Sequence, residues 1–152
     1  MRVPYRILDD WDRVTHYFRD AYRDPMGSRG RIPEVVQQIT DGITDPAEKA
    51  AVIFDYVQRN IEYVNYWGIG PRGSKAGSIL AYKQAENVDM NVLLCAMLDE
   101  AGINTSFAML APNDGLSFNS SLPTPVQFKR MITKVTMKNG QEMWLDPTIK
   151  GT

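Results

Sequence analysis

The sequence predicts an α+β fold in which N-terminal helices pack on a C-terminal antiparallel β-sheet. Apolar residues recur at helical spacing through most of the chain, and strand-like runs with a hairpin signal follow only after Gly102. A length of 152 residues suits one domain with a sizeable core, so we predict a single domain over residues 1–152. Such a domain can also be a piece cut from a longer multidomain protein.

The first two helices follow from apolar spacing and from their start signals. Behind an acidic first turn, one stripe runs through Trp11, Val14, Phe18 and Tyr22. After a loop rich in Gly and Arg, Pro33 opens a second helix with the sequence PEVVQQIT.

The third helix has the clearest start. Asp45 can cap it, Pro46 suits its first position, and Glu48 completes a capping-box pattern. One apolar stripe follows, through Ala50, Ile53, Phe54, Val57, Ile61 and Val64. The next segment, 66–78, is too rich in Gly and Pro for a regular element, and a short helix is predicted in SILAYKQ, 78–84.

The last predicted helix lies in the stretch AENVDMNVLLCAMLDEAGI, residues 85–103, and Gly102 stops it. Its apolar residues cover one broad arc, and Asp89, Asp99 and Glu100 lie largely opposite, so an amphipathic helix is expected. Cys95 falls on the flank of the apolar arc. A strand INTSFAMLA follows, then a polar loop from Pro112 to Pro125.

The final hairpin, RMITKVTMKNGQEMWLD, has two candidate registers. A two-residue turn at Asn139-Gly140 mixes apolar and polar residues on each face. A three-residue loop, 138–140, gives Gly140 the left-handed bulge position and segregates the apolar residues better. We therefore predict the second register, which puts Arg130, Ile132, Trp144 and Asp146 on one face.

Composition excludes several classes of partner and cofactor. The net charge of −1, with both signs mixed along the chain, argues against binding nucleic acid. No apolar run approaches the length of a membrane-spanning helix, and the first ten residues carry no signal-peptide core. With one cysteine and one histidine, a Cys/His metal site is not expected, and no cofactor is predicted.

The lone Cys95 is predicted to be a packing residue. It lies about two turns into its helix, beyond the first turn where the helix dipole stabilises a thiolate. His16 points away from the apolar stripe of its own helix, which is typical of a solvated surface histidine. A Cys95–His16 catalytic pair would require both side chains to leave these surroundings.

Four stretches resemble the transglutaminase-like domains of the papain-like cysteine-nucleophile superfamily, especially bacterial members found between β-rich domains. They are DPAEKAAVIFDYVQRNIEYV (45–64), NVDMNVLLCAMLDEAGI (87–103), LPTPVQFKRMITKV (122–135) and MWLDPT (143–148). In that family the second stretch opens with Gly-Asp-Cys, the third carries a catalytic histidine, and the fourth carries the acid that orients it. Anchored on Asp89 and the Leu-Leu run, the resemblance places Asn87 at the nucleophile position, Arg130 at the histidine position and Asp146 at the acid position.

The resemblance therefore implies a domain that has lost its nucleophile and its base and keeps only the acid. Arg130 and Asp146 are expected to pair, with a contact that can be bidentate, and Asn87 is expected to cap its helix. Tyr63, Tyr66 and Trp67 are candidates to line a groove, although aromatic residues there can equally be core.

The predicted function is a non-enzymatic module that binds a peptide or protein partner, or that holds flanking domains of the same chain. A scaffold without any ligand stays open, and so does Arg130 as an anchor for an anion such as a peptide carboxylate. The alternative is an active cysteine hydrolase or acyltransferase that uses Cys95. The family resemblance is compatible with an extracytoplasmic location, which the sequence leaves undecided.

Overall fold

The computed structural model describes residues 7–65, 74–113 and 118–150. Within them the chain forms helices and strands in an α+β arrangement, as predicted. The helices are α1 (Trp11–Gly27), α2 (Ile32–Ile39), α3 (Pro46–Asn60), α4 (Ala76–Tyr82) and α5 (Asn87–Glu100). The strands are β1 (Glu62–Tyr63), β2 (Gln84–Ala85), β3 (Asn104–Leu110), β4 (Arg130–Thr136) and β5 (Glu142–Leu145).

Helix α5 is the centre of the molecule. The four other helices pack against it, and so do β3 and β4, so every residue from Asn87 to Leu98 is buried. The prediction that this helix is amphipathic is therefore wrong over most of the length of α5. Asp89, expected on a polar face, is buried, and its Oδ1 accepts the Ser74 N–H at 3.3 Å. A helix that is covered on all sides needs no solvated stripe, and its polar residues are satisfied internally instead.

The predicted helix starts are confirmed with small shifts. Asp45 caps α3 by accepting the Glu48 N–H at 3.1 Å, and Asp10 caps α1 in the same way. Helix α3 ends at Asn60, so Val64 is not helical: its N–H donates to the Ala85 carbonyl at 3.0 Å. This bond extends the short parallel pair β1–β2, which the sequence did not reveal.

The C-terminal sheet has the strand order β3-β4-β5, and all its pairs are antiparallel. Val135 pairs with Met143, and the Met137 N–H donates to the Gln141 carbonyl, so the loop has three residues. Gly140 has φ +83°. The predicted register is therefore confirmed. The inner face buries Met131, Thr133 and Val135 against α5.

Candidate functional site

Asn87 is the first residue of α5, directly after the extended residue Glu86. The predicted capping role is wrong, because its side chain turns toward the sheet. Its Oδ1 accepts the Met131 N–H at 2.7 Å, and its Nδ2 donates to Asp146 Oδ1 at 3.3 Å. A buried backbone N–H at the start of β4 needs a partner, and the Asn87 side chain supplies it instead of capping α5. Asn87 thus ties the start of α5 to the sheet.

Asp146 follows β5 and bonds to Asn87, Arg130 and Thr148. We call these four residues the Asp146 cluster. The Asp146 side chain is 11% exposed. Oδ1 accepts from the Thr148 N–H at 3.0 Å, from the Thr148 hydroxyl at 2.6 Å and from Asn87, while Oδ2 accepts from Arg130. Each carboxylate oxygen has two lone pairs, so the three donors crowd Oδ1, whereas Oδ2 has a single donor, Arg130.

Arg130 is the first residue of β4 and pairs with Asp146, as predicted. One nitrogen makes the contact: Nη2 donates to Asp146 Oδ2 at 2.8 Å and to Thr148 Oγ1 at 3.0 Å. The pair is therefore not the bidentate arrangement that the sequence allowed, because Asp146 Oδ1 accepts from Asn87 and Thr148 and only Oδ2 accepts from the guanidinium. Thr148 itself was not singled out from the sequence.

The structure thus brings Asn87, Arg130 and Asp146 together at the junction of α5, β4 and the residues after β5. The chemistry available there is limited. An asparagine amide is a poor nucleophile toward an acyl group, and a guanidinium stays protonated and cannot accept a proton. The arrangement can orient polar groups and offer hydrogen bonds.

Cys95 lies about two turns further along α5, on the side that faces the sheet. It is 4% exposed, and its Sγ lies 3.4 Å from Thr133 Oγ1. Burial raises the pKa of the thiol to about 11, and the hydrogen-bond contact with Thr133 opposes this only in part. A reactive cysteine needs the opposite shift. The packing interpretation of Cys95 therefore agrees with its surroundings.

A groove of about 510 Å³ passes beside Cys95, between α1 and β3, and is lined mostly by apolar side chains such as Phe18, Phe107 and Phe128. It includes none of the cluster residues. His16 is exposed on α1, as expected, and does not line this groove. Nothing in this region resembles a Cys–His pair.

Of the three aromatic residues proposed to line a groove, only Tyr63 falls in the described part of the chain. It lies in β1 and is 36% exposed. Its strand partner is Ala85, which precedes Asn87 by two residues. Tyr66 and Trp67 lie outside the described residues.

A depression of about 390 Å³ beside Arg130 was not predicted; we call it the outer depression. It is lined mainly by Leu110, Arg130, Ile132, Trp144, Asp146 and Ile149. The preferred hairpin register had already placed four of these residues on one face. The pairing of Leu110 with Arg130 completes it, and that pairing joins strands separated by a long loop.

Neither a metal cluster nor a membrane-spanning helix is found in the described residues. No group of three or more His, Cys, Asp or Glu side chains there could hold a metal ion. Within the same ranges, each helix is too short or too polar to cross a bilayer.

Three solved structures share this fold. A candidate protease from Parabacteroides distasonis superposes with a TM-score of 0.71 at 17% identity, over 88% of this chain and 26% of that chain. A candidate cysteine protease from Cytophaga hutchinsonii gives 0.59 at 14% identity, over 78% and 37%. The periplasmic domain of TgpA from Pseudomonas aeruginosa gives 0.60 at 10% identity, over 90% and 47%. The chain thus spans about a quarter to a half of these longer chains.

Comparison with curated proteins gave no significant match. The family model for the transglutaminase-like superfamily matches residues 33–121, which run from α2 to just beyond β3 and include Asn87. This match covers more than half of the 152 residues. The chain therefore belongs to the transglutaminase-like superfamily.

Proposed function

We propose that this domain is a catalytically inactive transglutaminase-like module that binds a peptide or protein partner. One observation carries the proposal: the side chain at the position that the family resemblance assigns to the nucleophile is an asparagine held by Met131 and Asp146. Its neighbour at the histidine position is a guanidinium held by the same carboxylate.

Acyl transfer by this family's mechanism needs a nucleophile and a base within reach of each other. Asn87 supplies no nucleophile, and Arg130 supplies no base. Catalytic groups of this kind act as a unit, so the loss of both removes the mechanism rather than slowing it by two separate steps. The remaining acid, Asp146, would have no histidine to orient.

The second candidate, an enzyme that uses Cys95, has little support. That thiol is buried against Thr133, its pKa is raised, and no histidine is placed beside it in the described residues. A purely structural role between neighbouring domains competes more directly with binding. The longer chains of the structural relatives agree with that role, whereas the outer depression beside the cluster favours a bound partner.

The proposal is tested by rebuilding the lost groups. In a Cys95→Ser background, Asn87→Cys with Arg130→His restores the residues that the family carries at these positions. We expect the introduced thiol at position 87 to be alkylated by iodoacetamide with a pH profile shifted well below that of an ordinary thiol, because a paired histidine and the start of α5 both favour the thiolate. The parent protein should show no covalent acyl intermediate.

The matched control is Asn87→Cys alone in the same background, which has the thiol but no histidine. A lower thiol pKa in the double variant than in the single one supports the assignment of both positions. Equal pH profiles for the two variants, or an unreactive thiol in both, would show that positions 87 and 130 are not the family's nucleophile and base.

A further inference from the structure

The outer depression presents the guanidinium of Arg130 with part of its donor capacity unused. Nη2 is occupied by Asp146 and Thr148. Among the described residues no group accepts a hydrogen bond from Nε or Nη1, which together carry three N–H bonds. The side chain is 45% exposed. The bonds to Asp146 and Thr148 fix the orientation of the guanidinium, while its remaining N–H donors are accessible to a ligand.

The carboxylate of Asp146 does not occupy the unused N–H groups of Arg130. Asp146 is almost covered, and its oxygens already accept from Asn87, Arg130 and Thr148. Three donors bond to Oδ1, and Oδ2 accepts from Arg130 alone, so Asp146 retains at most one acceptor site. A ligand in the outer depression therefore meets more unused hydrogen-bond donors on Arg130 than unused acceptor sites on Asp146. The complementary group on the ligand is an anionic acceptor, for which a guanidinium is the usual protein partner.

The other walls of the outer depression are apolar, and three of their side chains are exposed. Trp144 is 54% exposed, Ile149 48% and Leu110 37%. A bound group must therefore place an apolar surface within a few ångströms of its anion. A free peptide C-terminus with an apolar last residue does this within one residue, since the carboxylate and the side chain leave the same Cα atom. An internal Asp or Glu brings its carboxylate without an apolar side chain of its own.

We propose that the outer depression binds the free α-carboxylate of a peptide whose last residue is apolar, with Arg130 as the anion anchor and Trp144 as the main apolar wall. This assignment rests on the proposed binding function and names the ligand class for it. The volume of about 390 Å³ suits one or two residues at the end of such a peptide.

The test compares two forms of one peptide on the intact protein. N-acetyl-Gly-Gly-Leu and N-acetyl-Gly-Gly-Phe, each as the free acid and as the amide, are titrated while the Trp indole N–H signals are followed by NMR. We expect the acids to shift the Trp144 signal and to bind at least about tenfold more tightly than the amides, because a charge-assisted hydrogen bond is lost in the amide. The indole N–H of Trp11, bonded to the Ser120 carbonyl, is the internal control.

Arg130→Gln should weaken binding of the acids to the level of the amides and leave the amides unchanged. Arg23→Gln, which removes an exposed arginine paired with Asp20 on α1, is the matched control and should change neither. N-acetyl-Gly-Asp-Gly-amide tests an internal carboxylate and should bind no better than the amides.

Acids and amides of equal affinity, tight binding by the internal aspartate, or binding of the acids that survives Arg130→Gln would each overturn the carboxylate assignment. So would the absence of a Trp144 shift with any of the peptides. None of these results depends on the thiol chemistry at position 87, so the loss of catalysis is judged separately by the rebuilt variants.

Discussion

At the residue scale, three members of the cluster around Asp146 could be predicted, but neither the fourth member nor the detailed contacts could. The family resemblance identified Asn87, Arg130 and Asp146, and the hairpin register placed the last two on one face. The sequence could not show that Asn87 prefers the Met131 N–H to a capping role, because that choice depends on how α5 meets β4. Thr148 was missed for a similar reason: a threonine two residues after an aspartate gains a role only through the turn that folds it back.

Cys95 gives a residue-scale prediction for thiol labelling. A shift of the thiol pKa from 9.0 to about 11 lowers the thiolate fraction at pH 8 by roughly a hundredfold, and burial hinders the reagent further. We expect the native protein to react with 5,5′-dithiobis(2-nitrobenzoic acid) at least about a hundredfold more slowly than the same chain unfolded in guanidinium chloride.

The matched control for that labelling is Ser121→Cys, which places a second thiol on an exposed turn. This thiol should react at the rate of the unfolded chain while Cys95 stays protected. Labelling of Cys95 at the rate of the Ser121→Cys thiol in native protein would contradict its assignment as a packing residue and would revive the enzyme alternative.

At the scale of elements, the helix starts were predictable because capping is local, whereas the environment of a helix is not. The pattern of α5 suggested one solvated side, yet it is covered by other elements on all sides from Asn87 to Leu98. Its polar residues are satisfied across elements: Asn91 donates to the carbonyls of Asn87 and Met131 and accepts from the Thr133 hydroxyl. No spacing rule distinguishes such a buried network from a polar face.

Gly77 in helix α4 is a second residue whose surroundings could not be predicted from the sequence pattern. The sequence placed it in a Gly-rich connection, but it lies in α4 with its N–H bonded to the Ser28 carbonyl at 2.8 Å. A Cβ there would lie 2.8 Å from the Gly30 nitrogen and 3.0 Å from Gly30 Cα. These are backbone atoms, so α4 would have to move away from the loop before α2. We expect Gly77→Ala to lower the free energy of unfolding by about 1–3 kcal/mol in urea titrations.

Gly27→Ala is the control for this substitution. Gly27 ends α1, and a Cβ added there meets no atom within 4 Å. Alanine favours helix over glycine, so the free energy of unfolding should be unchanged or rise by up to about 1 kcal/mol. Equal effects of the two substitutions would mean that the close approach of α4 to Gly30 does not exist in solution.

At the scale of the whole molecule, the α+β arrangement was predictable because it follows from strong periodicity in long segments. The parallel pair β1–β2 was not, since each strand has two residues and is fixed by the elements that flank it. The outer depression could be predicted only in part. Its residues on β4 and β5 follow from a hairpin register, whereas Leu110 and Ile149 reach it only through long-range packing.

Stability at alkaline pH is a property of the whole molecule that the buried thiol should control. The pKa of Cys95 is raised in the folded state, so the unfolded chain releases this proton at lower pH than the native protein does. Its contribution to stability is complete below the unfolded pKa of 9.0 and is lost as pH rises toward about 11. Between pH 8 and pH 10 the free energy of unfolding should fall by about 1–1.5 kcal/mol from this group.

Burial also raises the pKa of Tyr17 and Tyr22 above the ordinary tyrosine value of 10.0, so their effect starts only as the pH approaches 10 and is smaller than that of Cys95 in this window. Urea unfolding at pH 8, 9 and 10 measures the decline, and Cys95→Ala should flatten most of it even if the variant is less stable throughout. An undiminished decline in Cys95→Ala would contradict this account. It would mean that the thiol ionises as readily in the folded chain as in the unfolded one, and therefore that Cys95 is not buried between α5 and β4 in solution.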